Sequence, residues 1–175
     1  MPFPIVKTDR LVLRQLDISD AQEIFILRSD AEINKYLGRK KSTTVEEAMS
    51  FITNINESIA NNDSLYWAIT IDGDSNLVGT ACLFSFSEEN SQCEIGYELL
   101  TQFQGQGIMK EAVEAVIAYA FDVIKVQRIE AFFHKDNLRS VSLLDKLSFR
   151  NSDETDAENP DLIGYYLVNP VDSLP

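Results

Sequence analysis

One stretch narrows the possible folds more than any other. Residues 93–100 form an apolar, strand-like run. Residues 102–107 then read Gln-Phe-Gln-Gly-Gln-Gly, and a helix-like run continues to residue 124. Another strand-like run follows at 128–133. Strand, helix and strand in that order make a crossover unit, which sets two strands parallel. At its first junction, Gly105 and Gly107 let the backbone approach a ligand closely. The N–H groups of a helix's first turn have no partner within the helix, and the helix dipole places partial positive charge there. The pattern predicts a pyrophosphate cradle built from backbone.

The rest of the chain sets this unit in a wider frame. Residues 65–71, 77–86 and 93–100 are strand-like and separated by turn signals at 72–74 and 87–91, which predicts an antiparallel meander. Residues 10–14 read as a first strand. Ser19 and Gln22 stand at capping-box spacing before a helix through Ile24, Phe25 and Leu27. A short helical segment is expected at 31–37, ending at Gly38. Thr43 or Thr44 opens a helix with Val45, Ala48, Met49, Ile52, Ile55 and Ile59 on one face. A helix over 137–147 and a closing strand pair complete the order. The expected class is α+β, a mixed and mostly antiparallel twisted sheet flanked by helices, in one domain over residues 1–175.

Composition excludes several functions. At 175 residues and 45% hydrophobic, the chain can bury a full core. No apolar run reaches the roughly eighteen residues of a membrane span, and the start of the chain has no signal-peptide core. A cytoplasmic protein is expected. The net charge of −13 argues against nucleic-acid and anionic-membrane partners. It suits solubility or a cationic partner. Cys82, Cys93 and the lone His134 have no metal-ligand spacing, so no metal is expected. Cys82 and Cys93 read as free thiols on neighbouring strands.

The order of elements and several motifs resemble the GNAT N-acetyltransferase superfamily, in its RimJ/RimL branch of ribosomal-protein-alanine N-acetyltransferases. Thr8-Asp-Arg-Leu-Val-Leu-Arg14 is similar to that branch's opening strand, and Glu94-Ile-Gly-Tyr97 to its fourth. Gln102 to Gly107 is similar to the acetyl-CoA loop. Asn137-Leu-Arg-Ser140 and Leu144-Asp-Lys-Leu-Ser-Phe149 are similar to its last helix. The resemblance covers nearly the whole chain. It implies transfer of an acetyl group from acetyl-CoA directly to an amine. Gln102, Gln104, Gly105, Gln106, Gly107, Ile108 and Met109 would hold the pyrophosphate. The backbone of Leu99 and Leu100, with the side chain of Asn137, would bind the pantetheine arm. Phe103 stands where the family often has Trp or Tyr. Ser148 stands where it usually has Gly, at a helix end that favours a left-handed backbone. Leu144 occupies the position of a tyrosine general acid found in some members.

Acetyl transfer needs a neutral amine, a stabilised oxyanion and a proton for the departing thiolate. Glu94 and Glu98 share one strand face with Gly96 and are the candidate bases, Glu94 first through the family match. Ser140 is the candidate proton donor to sulfur. The oxyanion is expected at a backbone N–H near Leu99 or Leu100. His134 is a weaker base candidate. Arg28, Tyr36 and Trp67 are candidates for the acceptor pocket. The acidic segment Asp153, Glu154, Asp156, Glu158 and Asp161 would attract a cationic acceptor. Neutralising an α-amine at pH 7 costs about 1.4 kcal/mol, against about 4.6 kcal/mol for a lysine-type amine. A protein or peptide N-terminus is therefore the expected acceptor. A small cationic amine, or a non-catalytic acyl-CoA-binding module, are the alternatives. Monomer and homodimer both suit such a fold.

Overall fold

The computed structural model describes residues 2–173. Eight strands form one sheet in the order β1-β2-β3-β4-β5-β6-β8-β7. They are β1 (Val6–Lys7), β2 (Leu11–Gln15), β3 (Leu65–Ile71), β4 (Leu77–Phe84), β5 (Gln92–Leu99), β6 (Arg128–His134), β7 (Arg150–Thr155) and β8 (Leu162–Val168). All neighbours run antiparallel except β5 and β6. That parallel pair is short: only Gln92, Cys93 and Glu94 face Arg128, Ile129 and Glu130. Beyond Glu94 the two strands part, each keeping its other neighbour.

Helices cover both faces. α1 (Ala21–Ser29) and α2 (Val45–Ala60) lie on one, burying Ile24, Leu27, Ala48 and Ile52 against Tyr66 and Ala68. α3 (Ile108–Tyr119) and α4 (Leu138–Lys146) lie on the other, burying Val113, Val116 and Leu144 against Trp67 and Ile69. Alternate residues of β3 thus feed opposite cores, as period-two geometry requires. No helix among the described residues is long and apolar enough to cross a membrane.

Four local expectations are corrected. Residues 31–36 are turns and not a helix. Asn34 is buried, and its Nδ2 donates to the carbonyls of Leu27 (2.8 Å) and Asp30 (2.7 Å), which ties the segment to the end of α1. The cap before α1 is Asp17 with Asp20, not Ser19 with Gln22. Arg14 holds the Asp20 carboxylate with two contacts of 2.7 and 2.8 Å, so Asp20 is fixed to serve the cap. The helix read to residue 124 is α-helical to Tyr119 and continues as a π turn, Ala120–Ile124. A two-residue strand, β1, pairs outside β2 where none was expected. Both cysteines are free. Ser148 does adopt the left-handed backbone, φ 65°.

Candidate active site

The junction of β5 and α3 is built by local rules. A 3-10 turn, Thr101–Phe103, leads into the loop. Gly105 and Gly107 take φ of 77° and 76°, where a side chain would be strained. Nothing stands within 4 Å of where a Cβ would sit on Gly105. Gly107 is the N-cap of α3 and offers no side-chain cap. The N–H groups of Ile108, Met109 and Lys110 are therefore left without an intrahelical acceptor. Side chains fix the loop from outside. Gln104 Nε2 donates to Leu99 O (3.1 Å), Gln106 Nε2 to Gln102 O (3.1 Å), and Arg10 Nη1 to Gln106 O (3.0 Å). Arg10 is itself held by Glu111, Nε to Oε2 at 2.6 Å. Lys110 is engaged with Glu114 on the helix surface (2.7 Å).

The parting of β5 from β6 creates the second element of the site. Leu100 N–H bonds Val78 O (2.9 Å), which sets the phase of the β4–β5 ladder. Even-numbered residues of β5 bond β4, and the backbone groups of Ile95, Tyr97 and Leu99 face the gap. Leu100 is a correction to the sequence reading. Its N–H bonds Val78 and its C=O accepts from Phe103 N (3.0 Å), so its backbone has no free group for a strand-like ligand.

A cavity of about 450 Å³ lies where the strands part. Ile95 to Glu98 of β5 and Phe132 to His134 of β6 line it, with Tyr66, Cys82, Phe51, Arg28, Tyr36 and Arg39. Glu98 lies in this lining and is ion-paired to Arg39. Burial raises the Glu98 carboxyl above the usual range, against the opposing pull of Arg39 and Arg28. Glu94 is not in the lining. It sits at the point where the gap begins, and burial, then Glu130 and Asp156, raise its pKa. Gly96 separates the two carboxylates, about 7 Å along the strand from each.

Ser140, on the first turn of α4, is buried. Asn137 caps that helix, its Oδ1 accepting from Ser140 N–H (3.3 Å), and also lines the cavity. Its Nδ2 makes no hydrogen bond to any described residue. The Tyr97 hydroxyl is buried and without a hydrogen-bond partner among the described residues. Burial pushes it up to about 12, and Ser140 approaches closely enough to offset part of that while remaining outside hydrogen-bond geometry. Tyr97 packs on Phe133, centroids 5.1 Å apart.

Other sequence candidates divide. Arg28 and Tyr36 line the cavity, whereas Trp67 is fully buried on the opposite face, donating to Pro4 O (2.8 Å). His134 lines the cavity, stacks on Tyr36 and accepts a hydrogen bond from Asp136 N at Nδ1 (3.1 Å). None of the carboxylates between Asp153 and Asp161 is among the lining residues. Arg39 carried no sequence signal and Tyr97 entered only as part of a strand motif, because the role of each depends on a tertiary contact.

A family model described as an acetyltransferase (GNAT) domain matches residues 10–150. The chain belongs to the GNAT acetyltransferase family. It is an acetyl-CoA-dependent N-acetyltransferase. Among its relatives is the uncharacterized N-acetyltransferase YoaA of Bacillus subtilis, 32% identical over 85% of this chain and 84% of that protein. The [ribosomal protein uS5]-alanine N-acetyltransferase of Escherichia coli is 25% identical over 85% and 79%. In fold, the GNAT chain matches RimL, the ribosomal L7/L12 α-N-protein acetyltransferase solved in complex with coenzyme A. That match has a TM-score of 0.83 at 20% identity, covering 94% of this chain and 98% of that one.

Proposed function

We propose that this acetyltransferase acts on the α-amine of a protein or peptide N-terminus. The observation that carries the reading is the partly buried Glu98 carboxylate in a cavity that opens where β5 and β6 part. Acetyl-CoA, when bound, supplies an activated acetyl thioester. The residues present fit it. A Cβ on Gly105 would stand in open space, the first-turn amides of Ile108 and Met109 have no acceptor within the helix, and Gln102, Gln104 and Gln106 hold that loop in shape. The gap-facing backbone of Tyr97 and Ile95, the N–H of Leu99, whose C=O is taken by Gln104, and the Nδ2 of Asn137, without a partner among the described residues, suit a strand-like arm carrying amides. The Tyr97 hydroxyl, without a partner among the described residues, and Ser140 are both buried and close to one another.

In this reading Glu98 receives the amine and takes its proton, because it lines the cavity that the amine enters. Its raised proton affinity suits a base. Glu94, favoured by the family resemblance, stands on the other side of Gly96 as the second candidate. Ser140 gives a proton to the departing sulfur and is restored, by way of solvent, by the second proton that the attacking nitrogen releases, so that amide and free thiol form. An α-amine asks only about 1.4 kcal/mol of neutralisation at pH 7, within reach of one carboxylate. The named activities of the Escherichia coli relative and of RimL, both on ribosomal proteins, point the same way.

Thiol release from acetyl-CoA, followed with peptides bearing free or blocked N-termini, tests the reading. Mass increase at the α-amine of free peptides is expected. Glu98→Gln should lower kcat by about 100-fold or more and leave acetyl-CoA affinity unchanged. A larger loss in Glu94→Gln would move the base role there. Equal acetylation of blocked, lysine-containing peptides would overturn the α-amine assignment.

A further inference from the structure

We infer that the acceptor carries a carboxylate close to its reacting amine, and that Arg28 binds it. The inference rests on the cavity being the acceptor site. Arg28 lies in the last turn of α1 and lines the cavity, with its guanidinium carbon 4.0 Å from the centre of the Phe51 ring. The other cavity arginine is fully engaged: Arg39 donates to Asn34 Oδ1 (2.8 Å) and to Leu27 O (3.4 Å), and pairs with Glu98. Arg28 makes no side-chain hydrogen bond or ion pair to any described residue. The helix dipole and the Phe51 ring explain why a cation is tolerated there. Neither gives acceptors to the five N–H donors of a guanidinium.

Charge balance in the cavity leads to the same ligand. Two arginines face one carboxylate, Glu98, while burial keeps the Tyr66, Cys82 and Tyr97 protons on at neutral pH. The lining therefore holds a surplus cation in a chain whose net charge is −13. The acidic segment that would draw a purely cationic acceptor lies outside it. An amine bearing a carboxylate matches the pair, with its ammonium at Glu98 and its carboxylate on the planar fork of Arg28. Two sources share this chemistry. One is a peptide whose first residue is acidic, and the other is a free amino acid.

Acceptor pairs that differ only in the carboxylate decide the matter: peptides beginning Asp against Asn and Glu against Gln, and free alanine against alaninamide. With saturating acetyl-CoA, the charged member of at least one pair should win by about tenfold or more in kcat/KM. A peptide pair winning identifies an acidic N-terminus, and the alanine pair winning identifies an amino acid. Arg28→Gln should bring the ratio to within about twofold, and Arg28→Lys should retain part of it. Equal rates within every wild-type pair overturn the inference and leave the N-terminal reading standing if peptides are acetylated. Turnover confined to free amino acids supports the inference and removes the protein-terminus reading. A preference that survives in Arg28→Gln overturns the role of Arg28, and no turnover with any acceptor overturns both readings.

Discussion

The loop at the head of α3 and the cavity between β5 and β6 are neighbours built by opposite means. The loop is backbone: two left-handed glycines and a bare helix terminus, contiguous over a few residues. The cavity is side chain, gathered from α1, α2, three strands of the meander, β6, β8, the cap of α4 and the turn segment after α1. Backbone amides look much the same in any sequence, so such a loop can serve one ligand across many relatives. Side chains can change singly, so the cavity is where relatives with one fold can choose different acceptors.

That contrast can be broken, most severely at Gly105. Gly105→Val puts a branched side chain at φ 77° and into the open space, and should weaken acetyl-CoA binding by about 100-fold or more. Titration calorimetry reads this, and an unchanged Kd would mean that the loop is only a turn. Ser140→Ala separates the two regions. It should lower kcat about tenfold while acetyl-CoA affinity holds, and equal kcat would remove Ser140 from the chemistry.

Glu111→Gln touches the support beneath the loop. Burial raises the Glu111 pKa, but hydrogen bonds from Thr8 and Arg10, and the Arg10 charge, outweigh it and hold the group below its usual value. A depressed carboxylate contributes stability above its unfolded pKa, about 4.3, and loses it as pH falls through the folded value. The variant should melt a few degrees lower at pH 7, for about 1 kcal/mol, and the difference should close below about pH 4. A gap that persists in acid would assign the loss to packing. The smallest effect is expected at Ser148→Gly, which relieves a left-handed non-glycine and should raise Tm by about 2 °C.

Legibility in the sequence follows the same division. The crossover unit, the meander, the cap at Thr44 and the strain at Ser148 were readable because each depends on neighbours within a few residues. The turns at 31–36 misread as helix because the Asn34 side chain takes the carbonyls of Leu27 and Asp30, a choice no periodicity reports. Glu94 and Glu98 share one face of one strand, and only the family resemblance ranked Glu94 first. They differ only because β6 pairs with the first and leaves the second beside a cavity. Trp67 joins the core on the opposite face and not the cavity: an aromatic in a strand does not announce which of two faces it enters.

The brief pairing of β5 with β6 has a consequence beyond catalysis. Three residue pairs hinge two half-sheets, and past the hinge each presents an interior edge of the kind that recruits stray strands. On the proposed reading, the arm of acetyl-CoA acts as a temporary ninth strand that seals both edges. The fold would then be most complete when its own reagent is abundant, gaining about 2.7 kcal/mol at a hundredfold excess over Kd. Amide exchange at Ile95, Tyr97 and Leu99 would slow accordingly.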